Sequence, residues 1–218
     1  MSEAGERVLL LVGSPKGLEK SSSARLGRFV VDRLRQYGWT SKAIHLHEAM
    51  RSEEGRDDLL GEVDRAAVIL FAAPLYVDSL PAPAIRALES IAAHRATAAN
   101  DRRPRFIPLL NCGFLEPSQN DMCQELLRRF AETARFDGGT GISLGGAGAL
   151  TKRVRGALEQ LVEAIHLELL VPDDALESTR KPLMPRWLYI LGGNAMWRRT
   201  AAKNGVKERL RDRPYASG

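Results

Sequence analysis

The sequence predicts an α/β domain built on one parallel β-sheet with helices on both faces. Three observations carry this. Short continuous apolar runs, each closed by a turn residue, recur along the chain; such runs are strands buried on both faces, as parallel sheets require. Segments with apolar residues at 3–4 spacing alternate with them, as right-handed β-α-β crossovers demand. The composition, 44% apolar and 27% charged, is that of a globular chain able to form a core.

Taken in order, Arg7 to Gly13 is the first strand. Ser22 to Gly38 is the first helix, with Leu26, Phe29, Val30, Leu34 and Tyr37 on one side and Gly38 as its stop. Trp39 to His47 reads as the second strand, and the charged stretch Arg51 to Asp64 as a short helix. Ala66 to Ala73 is the most apolar run and is expected to be the central strand. Ser79 is placed to cap the next helix, with Pro81 near its first position, and that helix is expected to run to about Ala99. Asn100 to Pro104 is a polar turn and Arg105 to Asn111 the fourth strand. Ser118 and Asp121 form a capping-box-like start, followed by Met122, Leu126, Phe130 and Ala134 at i, i+4 spacing. Gly138 to Leu144 is the fifth strand. Leu150, Val154, Leu158, Leu161, Ile165 and Leu169 mark the last core helix, closed by Pro172. The alternation stops there, so residues 1–170 are expected to form the domain and 171–218 a C-terminal appendage with a helical end.

Charge is uneven. Between Arg198 and Gly218 lie seven basic and two acidic residues, which equals the whole net charge of +5. The tail lacks the interleaved aromatics of a single-strand binder, so it reads as a solvated end and no specific nucleic acid is expected. Cys112 and Cys123 are too few for a disulfide framework. The N-terminal MSEAGER segment has no apolar h-region, and no apolar run reaches the roughly 18 residues of a membrane span, so a cytoplasmic protein is expected.

In open parallel sheets, ligands bind beyond the carboxyl ends of the strands. The loop after the first strand, Gly13 to Ser23, is rich in hydroxyls, carries Lys16 and Lys20, and ends at a helix N-terminus, where free N–H groups and the helix dipole favour an anion. Ser14, Lys16, Ser21, Ser22 and Ser23 are the candidate ligands. It is not the nucleotide P-loop: counted from Gly13, the sixth and seventh positions are Leu18 and Glu19 rather than Gly and Lys. A G-x-G-x-x-G dinucleotide turn is excluded by Ser14-Pro15. After the third strand, Pro74, Leu75, Tyr76 and Val77 put apolar and aromatic surface where a flat ring would find a partner. After the fourth, Asn111, Cys112, Gly113 and Phe114 combine close backbone approach with an aromatic border. Cys112 has no histidine near it in sequence and reads as a buried thiol rather than a nucleophile. The loop from Gly145 to Gly148 is small enough to leave room for a second substrate. His45 and His47 share a face if they lie on a strand, but no third metal ligand of matching kind is near, and no metal is expected.

At these loops the sequence resembles the NAD(P)H-dependent FMN reductase branch of the flavodoxin-like superfamily. The likeness rests on Gly13-Ser14-Pro15-Lys16, Ser21 to Ser23, the segment from Pro74 to Pro81, and Asn111 to Phe114, and it covers about Arg7 to Leu169. It departs in the long first loop, with Leu18-Glu19 inserted, and in the appendage. The resemblance implies a five-stranded, doubly wound sheet of order 2-1-3-4-5. It also implies FMN with its phosphate in the first loop and its ring on the third and fourth, with NAD(P)H as co-substrate. A quinone, nitro compound or free flavin would be the electron acceptor. No catalytic side chain is then required, since hydride chemistry belongs to the flavin. A flavodoxin-like electron carrier and a cofactor-free interaction protein are the alternatives. Finally, Leu183 to Trp197 packs two of the three tryptophans into a dense apolar segment, which is expected to contribute to a homo-oligomer contact, with folding back over its own helices and membrane association as the alternatives.

Overall fold

The structure, a computed structural model, describes residues 6–97 and 102–212. Its sheet is parallel throughout. β1 (Arg7–Val12) pairs with β2 (Thr40–His45) and with β3 (Val68–Pro74), and β3 pairs with β4 (Arg105–Asn111). β4 in turn carries β5 (Asp137–Gly138) and β6 (Ile142–Leu144), giving the order 2-1-3-4-5. The continuous apolar runs are the inner strands: every residue of β3 and all but the first of β1 and β4 are buried.

The two faces are covered by different helices. Leu9, Leu11, Ile69, Phe71, Phe106 and Leu110 point to the side occupied by α3 (Glu53–Arg65), α4 (Ala82–Thr97) and α5 (Asp121–Thr133). α1 (Ser22–Gln36) and α6 (Lys152–His166) pack together on the other side. There Gly27 of α1 rests on Leu10; a Cβ at Gly27 would lie 2.2 Å from Leu10 Cδ1. The polar turn expected at 100–104 and the expected helix end at Ala99 fall partly outside the described residues.

Several local expectations are corrected. β2 stops at His45, and Leu46–Ala49 forms a short helix, α2, so His45 and His47 do not share a strand face. Among the described residues no His, Cys, Asp or Glu group is arranged to hold a metal. Ser52 caps α3 by accepting the Gly55 N–H at 3.0 Å, while Ser79 caps nothing, because its backbone is paired with Tyr76 in a turn. α5 is entered through a 3₁₀ turn, Pro117–Asn120, without a side-chain cap, so Ser118 has no capping role. The buried residues of α5 are Cys123, Leu127 and Ala131, one position beyond the expected Met122, Leu126 and Phe130; Met122 is 76% exposed, while Ala134, the last expected position, is buried just past the helix. Two adjacent apolar stripes satisfy the same 3.6 period, and only packing against β4 chooses between them. Leu169 lies past the end of α6 and is exposed.

The fifth strand is broken by a bulge. Phe106 pairs with Gly138, but Leu109 pairs with Ile142, so the outer strand carries one extra residue between them. Opposite the break stands Pro108, which has no N–H to give the ladder. Gly138 and Gly139 have φ of +99° and +95°, and a Cβ at Gly141 would sit 1.9 Å from the Pro108 carbonyl oxygen. Only glycine passes that point.

The chain divides into two compact units, Met1–Pro182 and Leu183–Gly218. The first unit includes α7 (Asp173–Arg180), packed against α6 and β6. The second contains α8 (Arg186–Lys203), on which Trp187, Leu188, Ile190, Leu191, Met196 and Trp197 are all exposed. Among the described residues no helix is long and apolar enough to cross a membrane.

At the amino end of the strands, Glu62 of α3 is buried. Arg7 Nε donates to it at 2.9 Å, Arg65 at 2.7 Å, and Lys42 Nζ lies 3.4 Å away. Burial pushes its carboxyl up, but the Arg65 and Arg7 hydrogen bonds together hold it below the usual glutamate range. A depressed carboxyl stabilises the fold above the unfolded pKa of about 4.3 and loses that contribution as pH falls through its folded value. Glu62→Gln is therefore expected to lower stability by about 2 kcal/mol at pH 7. In urea unfolding the gap to wild type should be constant above about pH 5 and close in acid.

Candidate functional site

Because β1, β3 and β4 are neighbours, their carboxyl-terminal loops meet. Ser14, Lys16, Ser21, Ser22, Ser23, Pro74, Leu75, Tyr76, Asn111 and Gly113 line one cleft of about 150 Å³, joined by Ala147. Of the expected site residues, Val77, Cys112 and Phe114 are not in its lining. The enclosed volume is below the roughly 300–1,000 Å³ of whole ligand sites, so it is large enough for only part of a cofactor-sized molecule. A cavity of about 430 Å³ exists at the β6 edge, between α5 and α7. Its two arginines are paired within the lining, Arg128 with Glu125 and Arg180 with Asp121, and it lies away from the carboxyl-end loops of β1 and β3.

The first loop supplies donors. Ser21 is the N-cap of α1 and accepts the Ala24 N–H at 3.2 Å, and Ser14 Oγ accepts the Lys16 N–H at 3.2 Å. Both hydroxyls keep their protons free to donate. The N–H groups of Ser22 and Ser23, in the first turn of α1, have no intrahelical acceptor. Glu19, which stands where a P-loop has its lysine, is exposed and hydrogen-bonded to Arg28, which lowers its carboxyl pKa and neutralises it locally. Gly13 is tightly packed: a Cβ there would lie 3.0 Å from those of both Ala73 and Ala84.

Ser23 plays a different part from its neighbours. Its hydroxyl donates to Asn111 Oδ1 at 2.7 Å, with both residues buried. Its proton ties the start of α1 to the end of β4. Asn111 also accepts, through its carbonyl, the Leu75 N–H at 2.8 Å, so one residue holds all three loops together.

The third-strand loop is a two-residue hairpin. Tyr76 N–H bonds Ser79 O at 2.8 Å and Ser79 N–H bonds Tyr76 O at 3.1 Å. Val77 and Asp78 between them have φ of +48° and +61°, the signature of a type I′ turn. A β-branched residue there is strained, and Val77 is 93% exposed. Beneath the turn, Pro74 and Leu75 are buried, while Tyr76 and Phe114 remain exposed on either side.

Cys112 faces inward. It is 1% exposed, its Sγ accepts from Asn120 Nδ2 at 3.6 Å, and burial pushes its thiol up. It is not an available nucleophile. Sequence reasoning misses two contributors. Ala147, at φ +59°, is delivered by the small-residue loop after β6, and its N–H bonds the Cys112 carbonyl at 2.7 Å. His45 reaches the first loop from β2, with Nε2 2.7 Å from Ser14 O. The spacing of His45 and His47 draws the eye to metal binding, and nothing local in the sequence signals this bond.

No family model matches the chain, and no curated protein is similar to it in sequence. Solved structures are similar in fold. They include an FMN-dependent NADH-azoreductase from Bacillus anthracis str. Ames Ancestor in complex with FMN, at 12% identity and TM-score 0.54 over 75% of this chain and 98% of that one. An apo NADH:FMN oxidoreductase aligns at 17% identity and TM-score 0.57, covering 83% and 97%. An NAD(P)H:quinone oxidoreductase from Methanothermobacter marburgensis aligns at 18% identity and TM-score 0.50, covering 74% and 98%. The chain thus has the flavodoxin-like fold.

The turn at Val77 carries a prediction. A left-handed non-glycine residue costs about 1–2 kcal/mol, more than the about 0.5–1 kcal/mol of extra chain entropy that glycine loses on folding. Val77→Gly is expected to raise stability by about 0.5–1 kcal/mol in denaturant unfolding, and a loss of stability would contradict the turn geometry.

Proposed function

We propose that the protein is an FMN-dependent oxidoreductase that passes hydride from NAD(P)H through bound FMN to a small acceptor, a quinone, a nitro compound or free flavin. The observation that carries this reading is the convergence of three loops on one cleft with donors at one end and apolar and aromatic surface at the other. The donor set suits a phosphate monoester: free hydroxyls of Ser14 and Ser21, the first-turn N–H groups of α1, and Lys16. Leu75, Tyr76, Gly113 and Phe114 offer the border for a flat ring. The likeness of the fold to FMN-dependent reductases supports the same reading.

FMN, when bound, supplies the two-electron chemistry. The chain's residues bind and orient. Ser14, Ser21 and Ser22 hold the phosphate, Ser23 and Asn111 fix the spacing between the phosphate end and the ring end, and Tyr76 and Phe114 border the ring. No side-chain acid or base is assigned. The two buried free thiols, Cys112 and Cys123, suit a reducing cytoplasmic location.

The full chain is expected to take up FMN at 1:1 stoichiometry, with quenching of flavin fluorescence, and then to oxidise NAD(P)H in the presence of a quinone. Bound FMN without NAD(P)H turnover would instead mark an electron carrier, and a colourless protein that takes up no flavin would mark an interaction protein. Replacing Ser14, Ser21 and Ser22 by alanine should weaken FMN by about 1.5–3 kcal/mol for each charge-assisted hydrogen bond removed, while riboflavin, which has no phosphate, changes little. Equal weakening of both flavins would place the phosphate elsewhere.

The exposed apolar side chains of α8 support a further part of the reading, a homo-oligomer in which this segment meets a second copy. Removal of residues 183–218 is expected to lower the subunit number measured by light scattering. An unchanged number, or a full-length monomer, would reject it.

A further inference from the structure

His45 is the last residue of β2, in register with Val12 of β1, and is 6% exposed. Its Nε2 lies 2.7 Å from the carbonyl oxygen of Ser14. A carbonyl only accepts, so Nε2 carries the proton of this bond. Nδ1 makes no hydrogen bond, and the Glu48 carboxylate oxygen stands 3.3 Å from it. The neighbouring His47 is engaged with Arg51 instead.

The bond matters because of the peptide it holds. Ser14 is followed by Pro15, so the Ser14–Pro15 unit has no N–H and presents only a carbonyl. Turned into a cleft built from hydroxyl and N–H donors, that oxygen would repel an anion. His45 instead engages it from β2, on a buried ring. The rest of the loop is anchored further along: Gly13 N–H bonds Ala72 O, and Lys20 and Ser21 N–H both bond Gly17 O. Between Gly13 and Gly17, among the described residues, the His45 bond is the one tie from outside the loop. With the carbonyl held, Ser14 Oγ stays on the cleft and Lys16 N–H closes onto it.

We propose that His45 is a positioning residue for the phosphate end of the cleft, keeping the Ser14 carbonyl out of the anion's way. The proposal rests on the flavin reading above. The test measures dissociation constants for FMN and for riboflavin, by fluorescence quenching, on the full chain, on His45→Leu and on His45→Gln, whose amide can still donate to Ser14 O. His45→Leu is expected to weaken FMN at least tenfold and riboflavin less than twofold, with most of the FMN affinity restored in His45→Gln. Unchanged FMN affinity in folded His45→Leu, or equal weakening of both flavins, overturns the proposal while leaving flavin binding intact. A wild-type chain that binds neither flavin overturns the flavin reading and this proposal with it. Ring ¹⁵N shifts of the wild-type protein provide a check that needs no variant: a protonated Nε2 is expected, and a bare Nε2 would overturn the bond from which the proposal starts.

Discussion

The structure depends on burying β1 and β3 on both faces. Strands with no solvent side need helices above and below, and that is what forces parallel pairing and crossover connections. Once β3 lies beside β1, the loops after β1, β3 and β4 must emerge together at one edge of the sheet. The cleft therefore follows from the core. Its three walls belong to segments far apart in sequence, and Asn111 joins them through its side chain to Ser23 and its carbonyl to Leu75.

The two ends of the sheet solve opposite electrostatic problems. At the amino end, Glu62 is buried and satisfied by cations, so its charge serves stability. At the carboxyl end, hydroxyl and N–H donors converge on one cleft. The hydroxyls of Ser14 and Ser21 accept backbone bonds and still have protons to give, and the Ser14 carbonyl is engaged by His45. A surplus of oriented donors at a helix N-terminus is the condition for holding a phosphate. Glu19 does not cancel it, because Arg28 holds that carboxylate.

Fold and function stand on different footings. Likeness at 12–18% identity establishes how the chain is folded, whereas flavodoxin-like scaffolds host more than one chemistry. What distinguishes this chain is local. Its cleft encloses about 150 Å³, the turn beside it is an exposed type I′ hairpin with a strained valine at the tip, and Cys112 is buried outside the cleft lining. The proposed function rests on these local features, with a bound ring supplying the reactivity and the protein supplying placement.

Much of this was legible in the sequence because it depends on local rules. Buried parallel strands read as apolar runs, and helices read as 3.6-residue stripes. Serines before a helix read as a cap and an anion site, so the positions of β1, β3 and β4 and most of the cleft residues followed from the chain alone. Tertiary structure decided what local rules leave degenerate. It chose the Cys123–Leu127–Ala131 stripe of α5 over its neighbour, because two adjacent stripes have the same period and only packing on β4 separates them. It broke the fifth strand opposite Pro108, because a missing N–H is felt only by the strand beside it. It turned Ser23 toward Asn111 and His45 toward Ser14, because a hydrogen bond between residues 88 or 31 apart exists only after the sheet has brought its strand ends together.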